Sequence, residues 1–246
     1  MSGAEKAAAV SRPLNVAERI YQQLKQDIFD FQLLPGDRFS ETEIARRMQA
    51  SRTPVREALY RLERDGYVQV HFRSGWQVRP FDFRYFENLY DVRVLLESEA
   101  VRRLCRADSR LELLDTLAGQ WNCAVNEEVS DSDLAATLDE NFHFALVELS
   151  GNQEMTTIHR DVCERLRIIR RLDFTQAGRI TVTYAEHRQI LQLILAGRAE
   201  DAVAALSEHI ELSKNTVRTV TLHRIQLAKQ HYNVNIRVDS ENIAGS

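Results

Sequence analysis

Apolar positions follow two different periods along this chain, and the change of period divides it in two. In the first third, spacings of three and four residues give way to alternation over Tyr67–Val70 and again over Gly75–Val78. Alternation is typical of half-buried strands, so these segments predict a two-stranded hairpin with residues 71–74 as its turn. From residue 84 onward the helical spacing returns and continues. The pattern predicts a small domain of helices and a hairpin, followed by an all-α domain.

Prolines and glycines mark the same division. No proline follows Pro80, and glycines at 151, 178 and 197 fall where helices are expected to end. Six or seven helices with short connections are typical of an antiparallel bundle. The helical segments predicted in this half are 84–106, 109–128, 132–149, 153–174, 179–196 and 199–225. The predicted organisation is a disordered N-terminus over 1–12, a first domain over 13–80, a helical domain over 81–228 and a polar tail over 229–246.

Three helices are predicted before the hairpin. Asn15 is expected to cap the first, which extends to about Phe31. The second covers residues 40–48 with acidic residues in its first turn, which suits a helix N-terminus. The third begins at Ser51, whose hydroxyl is expected to cap it, and ends at Gly66. The two residues between the second and third helices leave the tight connection of a helix-turn-helix.

The third helix carries the most informative residues of the chain. Arg52 and Arg56 lie one turn apart at its start and share a face, while Val55 and Leu59 belong to an apolar stripe of the same helix. A DNA-recognition helix presents side chains to base edges at this place. A solvated amphipathic helix with surface arginines explains this helix about equally well when it is taken alone. The preceding short helix and the following hairpin favour the DNA-reading interpretation.

Composition and charge agree with a nucleic-acid partner only once the chain is divided. Hydrophobic content of 44% and charged content of 28% are ordinary for a soluble protein. No apolar run suits a membrane span or a signal peptide, and Cys105, Cys123 and Cys163 lack CxxC spacing, so we expect a cytoplasmic protein with reduced thiols. Residues 12–80 carry 12 basic and 9 acidic side chains, whereas residues 81–246 carry 19 and 26. The basic part is the one that would approach phosphates.

Four side chains of the helical domain have the types and positions of metal ligands. Asp139 and His143 are one turn apart in one predicted helix, and His187 and His209 lie on apolar faces of two others. Three imidazoles and one carboxylate suit a divalent transition metal, with Zn, Ni and Mn as candidates. Alternatively, each of the three histidines is an ordinary core histidine with a hydrogen-bond partner. Spacing alone leaves both interpretations open.

Residues 16–80 resemble the winged helix-turn-helix domain of GntR-family bacterial transcription regulators. The resemblance is carried by Leu34–Arg38, Ser40–Glu41, Ser51–Leu59 and Leu62–Val68. The run Ser-Arg-Thr-Pro-Val-Arg is highly specific for that family. The resemblance implies a double-stranded DNA operator as partner. The residues that it implies in contact with that operator are Arg52, Thr53 and Arg56, with Thr42, Arg73 and Gly75 as weaker carry-overs.

Residues 84–215 resemble the ligand-binding FCD domain of the FadR subfamily. The matching segments are Arg93–Glu97, Asp139–His143, Ser150–Asn152, Glu186–Ile190 and Glu208–Ile210. Metal-binding members hold their ligands at the positions of Asp139, His143, His187 and His209, so the resemblance favours a metal, zinc first. A small organic acid on that metal is the implied effector, and Arg93 is the candidate second clamp. The alternative for Arg93 is a surface or interhelix salt bridge.

Two further groups of residues receive weaker interpretations. The arginines at 165, 167, 170 and 171 are interpreted as a solvated face or an interface. His71, His159, His223 and His231 match no pattern.

The combined prediction is a mainly α protein with an N-terminal winged helix-turn-helix joined to an all-α ligand-binding bundle. Its expected function is that of a ligand-responsive transcription regulator and not an enzyme, with repression relieved by effector as the commoner family pattern. It is expected to bind a pseudo-palindromic operator as a homodimer, because one winged domain reads only a half-site. The alternatives are a metal-dependent enzyme in the helical domain, or a constitutive DNA-binding dimer whose helical half is structural.

Overall fold

The structure is a computed structural model that describes residues 15–71, 75–108, 110–121, 131–176 and 178–217. The chain divides into two compact units at the junction of Pro80 and Phe81. The predicted disordered N-terminus, the predicted tail and Arg73 in the hairpin turn lie outside the described residues. Each unit is considered by itself below.

The first unit is a helix-turn-helix followed by a small antiparallel sheet. Its elements are α1 (Val16–Phe29), β1 (Arg38–Phe39), α2 (Glu41–Arg47), α3 (Arg52–Arg64), β2 (Val68–His71) and β3 (Gly75–Val78). The strand order is β1-β3-β2, with Phe39 opposite Trp76 and Val70 opposite Trp76 on the other side. The wing is therefore three-stranded where the sequence predicts two strands. A two-residue strand such as β1 is too short for alternation to reveal it.

Local side-chain chemistry sets the helix ends of this unit. Asn15 accepts a hydrogen bond from the Ala17 N–H at 3.0 Å, as predicted for a cap. Ser40 and Glu43 form a reciprocal capping box at the start of α2. The predicted hydroxyl cap of Ser51 is wrong, because that side chain makes no cap hydrogen bond. The third residue of α3 is Pro54, which has no N–H to donate to such a cap.

The core of the first unit holds α3 in place. Helix α1 packs against α3, and Ile20 and Leu24 of α1 are buried, as are Leu59 and Leu62 of α3. The Tyr21 hydroxyl of α1 donates to the Asp65 carboxylate at 2.7 Å, just beyond the end of α3. The apolar stripe of α3 thus faces inward, and its charged face is left at the surface.

The second unit is a helical bundle. Its described helices are α4 (Phe83–Arg106), α5 (Arg110–Trp121), α6 (Ser132–Leu149), α7 (Gln153–Phe174), α8 (Arg179–Leu195) and α9 (Ala199–Val217). The long α4 packs most extensively against α9 and also contacts α6 and α7. Within the described ranges, no helix is both long and apolar enough to cross a membrane. Because α4, α6, α8 and α9 meet in the interior, side chains on their inner faces converge.

Candidate nucleic-acid interface and candidate metal centre

Helix α3 presents the predicted DNA-reading side chains to solvent. The side chains of Arg52 and Arg56 are 62% and 52% exposed, and Thr53 between them is exposed as well. Val55 and Leu59 of the same helix belong to its apolar stripe and are fully buried. The helix is therefore anchored by one face while the other is available to a partner.

Both arginines share one acceptor, Glu41 at the start of α2. Arg56 donates through Nε at 3.0 Å and Nη2 at 2.8 Å to the two oxygens of this carboxylate, and Arg52 donates through Nη2 at 3.3 Å. The hydrogen bonds from Arg56 lower the pKa of Glu41, so the carboxylate stays charged. The sequence-based prediction does not include Glu41. Residues 15 apart in sequence on different helices carry no spacing signal for such a contact.

The remaining DNA-binding candidates differ in what the structure shows. Thr42 is exposed in the first turn of α2. Gly75 begins β3 with φ of +89°, and a Cβ there would lie 2.6 Å from the carbonyl oxygen of Phe39. Glycine is therefore required at position 75 by the close approach of the β1 backbone, independently of any DNA contact. Arg73 lies outside the described residues.

The four candidate metal ligands converge in the buried centre of the second unit. Asp139 and His143 come from α6, His187 from α8 and His209 from α9, and one donor atom from each lies within 4.8 Å of the others. All four residues are at most 4% exposed. The spacing of these residues in the sequence could not show whether their side chains meet, and in the structure they do.

The donor atoms have separations that suit a small cation. The Nε2 atom of His209 lies 3.1 Å from that of His143 and 3.3 Å from that of His187. The Oδ1 atom of Asp139 lies 3.3 to 3.8 Å from the three ring nitrogens. Ligands at ~2.0–2.1 Å from a tetrahedral zinc ion are roughly 3.3 Å apart, so the residues present fit a transition metal.

A surrounding layer of charged groups orients these donors. Glu97 accepts from Nδ1 of His143 at 2.6 Å, and Glu186 accepts from Nδ1 of His209 at 2.6 Å. Each contact leaves Nε2 turned toward the centre, the arrangement in which carboxylates support metal-binding histidines. Arg170 donates to Oδ2 of Asp139, leaving Oδ1 for the centre.

His187 is held by packing instead. Its ring stacks on Phe142 with centroids 3.7 Å apart, and Trp121 packs edge-on against it at 4.3 Å. Its Nδ1 atom is buried without a hydrogen-bond partner among the described residues.

Burial keeps two imidazoles in the form that binds metal. It lowers the pKa of His209 to about 4 and that of His187 well below its usual range, so both rings are neutral near pH 7. Burial would raise the pKa of Asp139, but the adjacent Arg170 guanidinium holds it well below its usual range. The centre thus offers neutral nitrogens and one ionised oxygen.

Two arginines in this layer correct the sequence-based interpretations. Arg93 is 2% exposed and pairs at 2.8 Å with Glu97 of the same helix, so it makes neither a surface nor an interhelix salt bridge. Arg170 is 3% exposed, so its assignment to a solvated face is wrong. Arg165 and Arg167, on the same helix, are about one-third exposed and pair with Asp161 and Glu140. Arg167 and Arg170 are about one turn apart on α7, so the partly exposed and the buried arginines are close neighbours on this helix.

Three of the buried donors that have no partner within the described part of the chain act on one another electrostatically. They are the Tyr90 hydroxyl, Nη2 of Arg93 and Nη1 of Arg170. The Arg93 guanidinium carbon lies 5.5 Å from the centroid of the Tyr90 ring, and Arg170 acts electrostatically on both residues. Buried donors without acceptors cost free energy, so an acceptor from outside the chain would stabilise this cluster.

Comparison with known proteins matches the two units separately. Residues 16–78 match the family of bacterial regulatory proteins named gntR, and residues 88–212 match the FCD domain. The chain is 37% identical over 174 residues to the nta operon transcriptional regulator of Aminobacter aminovorans, covering 70% of this chain and 79% of that protein.

A second curated relative and one solved structure extend the likeness. The HTH-type transcriptional repressor RspR of Escherichia coli is 24% identical over 216 residues, covering 85% of this chain and 91% of that repressor. A putative GntR transcriptional regulator from Rhodococcus sp. RHA1 superposes with a TM-score of 0.63 at 25% identity, covering 83% of this chain and 98% of that one. These relatives are transcription regulators and not enzymes.

Proposed function

This chain belongs to the gntR family of bacterial regulatory proteins and carries an FCD domain, and from that premise we propose a metal-dependent sensor of small carboxylic acids that represses transcription. The family and the relatives support DNA binding and regulation. The proposal adds the effector class, the metal, the direction of regulation and the homodimer. The observation that carries it is the group of three unpartnered buried donors beside the four metal-ligand candidates.

The charges around the centre favour an anionic effector. Asp139 pairs with Arg170 and Glu97 with Arg93, while Arg179 is shared by Glu186 at 2.9 Å and Asp173 at 3.1 Å. These three arginines face four carboxylates, so a divalent cation on Asp139 and the three histidines would bring one positive charge more than these groups neutralise. A carboxylate can take an open metal position while accepting hydrogen bonds from the free donors of Arg93 and Arg170.

The metal would supply the anchoring charge, and the residues of the chain would select the acid. Burial raises the pKa of Tyr90, so its hydroxyl stays protonated and can donate. Two of these three donors suit one carboxylate. A second carboxylate or a hydroxyl group of the same acid would accept from the third donor. Small acids with more than one oxygen-bearing group are therefore the expected effectors.

On the DNA side, Arg52, Thr53 and Arg56 are the proposed base and phosphate contacts, and Thr42, Arg73 and Gly75 are proposed in supporting positions. One winged unit reads one half-site, so a homodimer on a pseudo-palindrome is proposed. An acid relieves repression if its affinity for the DNA-free protein is higher than its affinity for the operator-bound protein. By reciprocity, operator DNA must then weaken binding of the acid.

The DNA-binding part is tested by selecting bound duplexes from a random pool. Purified protein is expected to enrich one palindromic site, and Arg52→Ala and Arg56→Ala to weaken its binding roughly 10- to 100-fold each. Arg64→Ala, at the far end of α3 and 72% exposed, is the matched control and should bind normally. A normal affinity of both Arg52→Ala and Arg56→Ala would overturn the assignment.

The effector part is tested by calorimetric titration of a panel of mono-, di- and tricarboxylic acids into zinc-loaded and metal-stripped protein. Binding is expected to require the metal, to be lost in His209→Ala and to weaken strongly in Arg93→Met. Arg167→Ala, on the surface of α7, is the control and should bind as the parent does. If no acid binds the zinc-loaded protein, or if stripping the metal leaves binding intact, the metal-held effector is wrong.

A further inference from the structure

A second buried group of metal-binding side chains lies next to the first and contains none of its four ligand candidates. Glu97 comes from α4, and His159 and Cys163 come from one face of α7, one turn apart. The carboxylate, imidazole and sulfur donors lie within 4.8 Å of one another, and the three residues are at most 2% exposed. His159 matches no sequence pattern, and its spacing of four from Cys163 is the signal that could have identified it.

The donors of this group lie close together. The Nε2 atom of His159 lies 2.8 Å from Oε1 of Glu97. The Sγ atom of Cys163 lies 3.4 Å from Nε2 and 3.7 Å from Nδ1 of the same ring, so a modest rotation of this side chain would be needed to bring all three donors onto one ion. Separations of about 3 to 4 Å are those of neighbouring ligands on a small cation with bonds of ~2.0–2.3 Å.

The ligand types point to a different class of metal from that of the first group. A thiolate favours soft d¹⁰ cations such as zinc and its heavier analogue cadmium, and it is absent from the set of Asp139 and three histidines. A thiolate would offset one charge of a divalent ion, whereas the charge of Glu97 is already paired with Arg93. The three ligands also leave a coordination position for a water molecule or an exogenous group.

We propose that Glu97, His159 and Cys163 form a second metal site, selective for thiophilic divalent cations. Glu97 joins the two groups, because its Oε2 accepts from His143 while its Oε1 belongs to the second group. Arg93 donates to the same Oε1 at 2.8 Å and competes with a metal there. The second site therefore binds its cation more weakly than the first.

The test is a titration of the full-length, metal-free, reduced protein with cadmium, followed by ultraviolet absorption. The first equivalent should add no thiolate-to-metal charge-transfer band, because the first group contains no sulfur. The second equivalent should add one. Cys163→Ser should abolish the band and retain one tightly bound ion, while a protein with Cys105→Ser and Cys123→Ser should keep the band.

Two further variants separate this proposal from the first metal site and from misfolding. His209→Ala removes a ligand of the first group only, so its band should appear with the first equivalent. His159→Gln should reduce the band while circular dichroism shows intact helices. A band that survives Cys163→Ser, or two bound ions without any band, would overturn the second site and leave the first untouched.

Discussion

The ion pairs at the two candidate sites of this protein lie in opposite environments. In the first unit Arg52 and Arg56 are more than half exposed where they meet Glu41. In the second unit the pairs Arg93–Glu97 and Arg170–Asp139 have side chains that are at most 5% exposed. Exposed pairs contribute little to stability and can be exchanged for an incoming phosphate. Buried pairs contribute their charges to a fixed site, and removing one partner leaves the other uncompensated.

The difference suits the two tasks. A DNA-reading surface needs cations that are ordered before binding and released readily to the operator. A buried sensor needs donors that stay in place when the ligand is absent, because their reorganisation would oppose binding. The following predictions test how far this contrast holds, beginning with the largest effect.

Arg170→Met should lower the free energy of unfolding of the metal-free protein by about 3–5 kcal/mol, because it leaves the Asp139 carboxylate buried without its counter-charge. Urea unfolding in the presence of a chelator measures the loss. Zinc should reduce it, since a bound cation would become the partner of Asp139. A loss no larger than that of the surface variant Arg167→Met would contradict the contrast.

The double variant Asp139→Asn with Arg170→Met should recover most of that stability, because both charges are then removed together. The same urea series measures the coupling between the two positions. Strictly additive losses would show that the pair is not a unit. Metal affinity should remain impaired in the double variant, which separates stability from function.

Glu41→Gln should leave the unfolding free energy nearly unchanged but raise the affinity for non-specific DNA, roughly tenfold at low salt, because two arginines lose their compensating charge. The slope of log affinity against log salt should steepen by about one. Fluorescence anisotropy with a random duplex gives both quantities. Discrimination between operator and random DNA should fall, since the carboxylate also orders the two arginines. Unchanged binding of random DNA would show that Glu41 has no such role.

Glu200→Gln should have the smallest effect. Its carboxylate is 75% exposed and meets Arg102 at 3.0 Å on the bundle surface, so solvent and salt screen the pair. Thermal unfolding should be indistinguishable from that of the parent at 0.15 M salt. A clear loss of stability would mean that exposure is a poor guide to the importance of ion pairs in this bundle.

The sequence by itself determined the helices and strands and the types of side chain that are available for binding. Helical spacing, the alternation before Val78 and the cap at Asn15 depend on neighbours within one or two turns, and these are visible along the chain. The helix bounds predicted in the second half agree with the structure wherever it describes them. The Ser-Arg-Thr-Pro-Val-Arg run likewise identified the exposed face of α3.

Only the tertiary structure decided which side chains share an environment. Four metal-ligand candidates meet because α6, α8 and α9 cross, and Glu97 reaches both His143 and His159 because α4 lies against α6 and α7. Arg167 and Arg170 have the same residue type on the same helix, yet one is at the surface and the other is buried. Burial and long-range proximity depend on how helices pack, and packing joins residues whose separation in sequence carries no period.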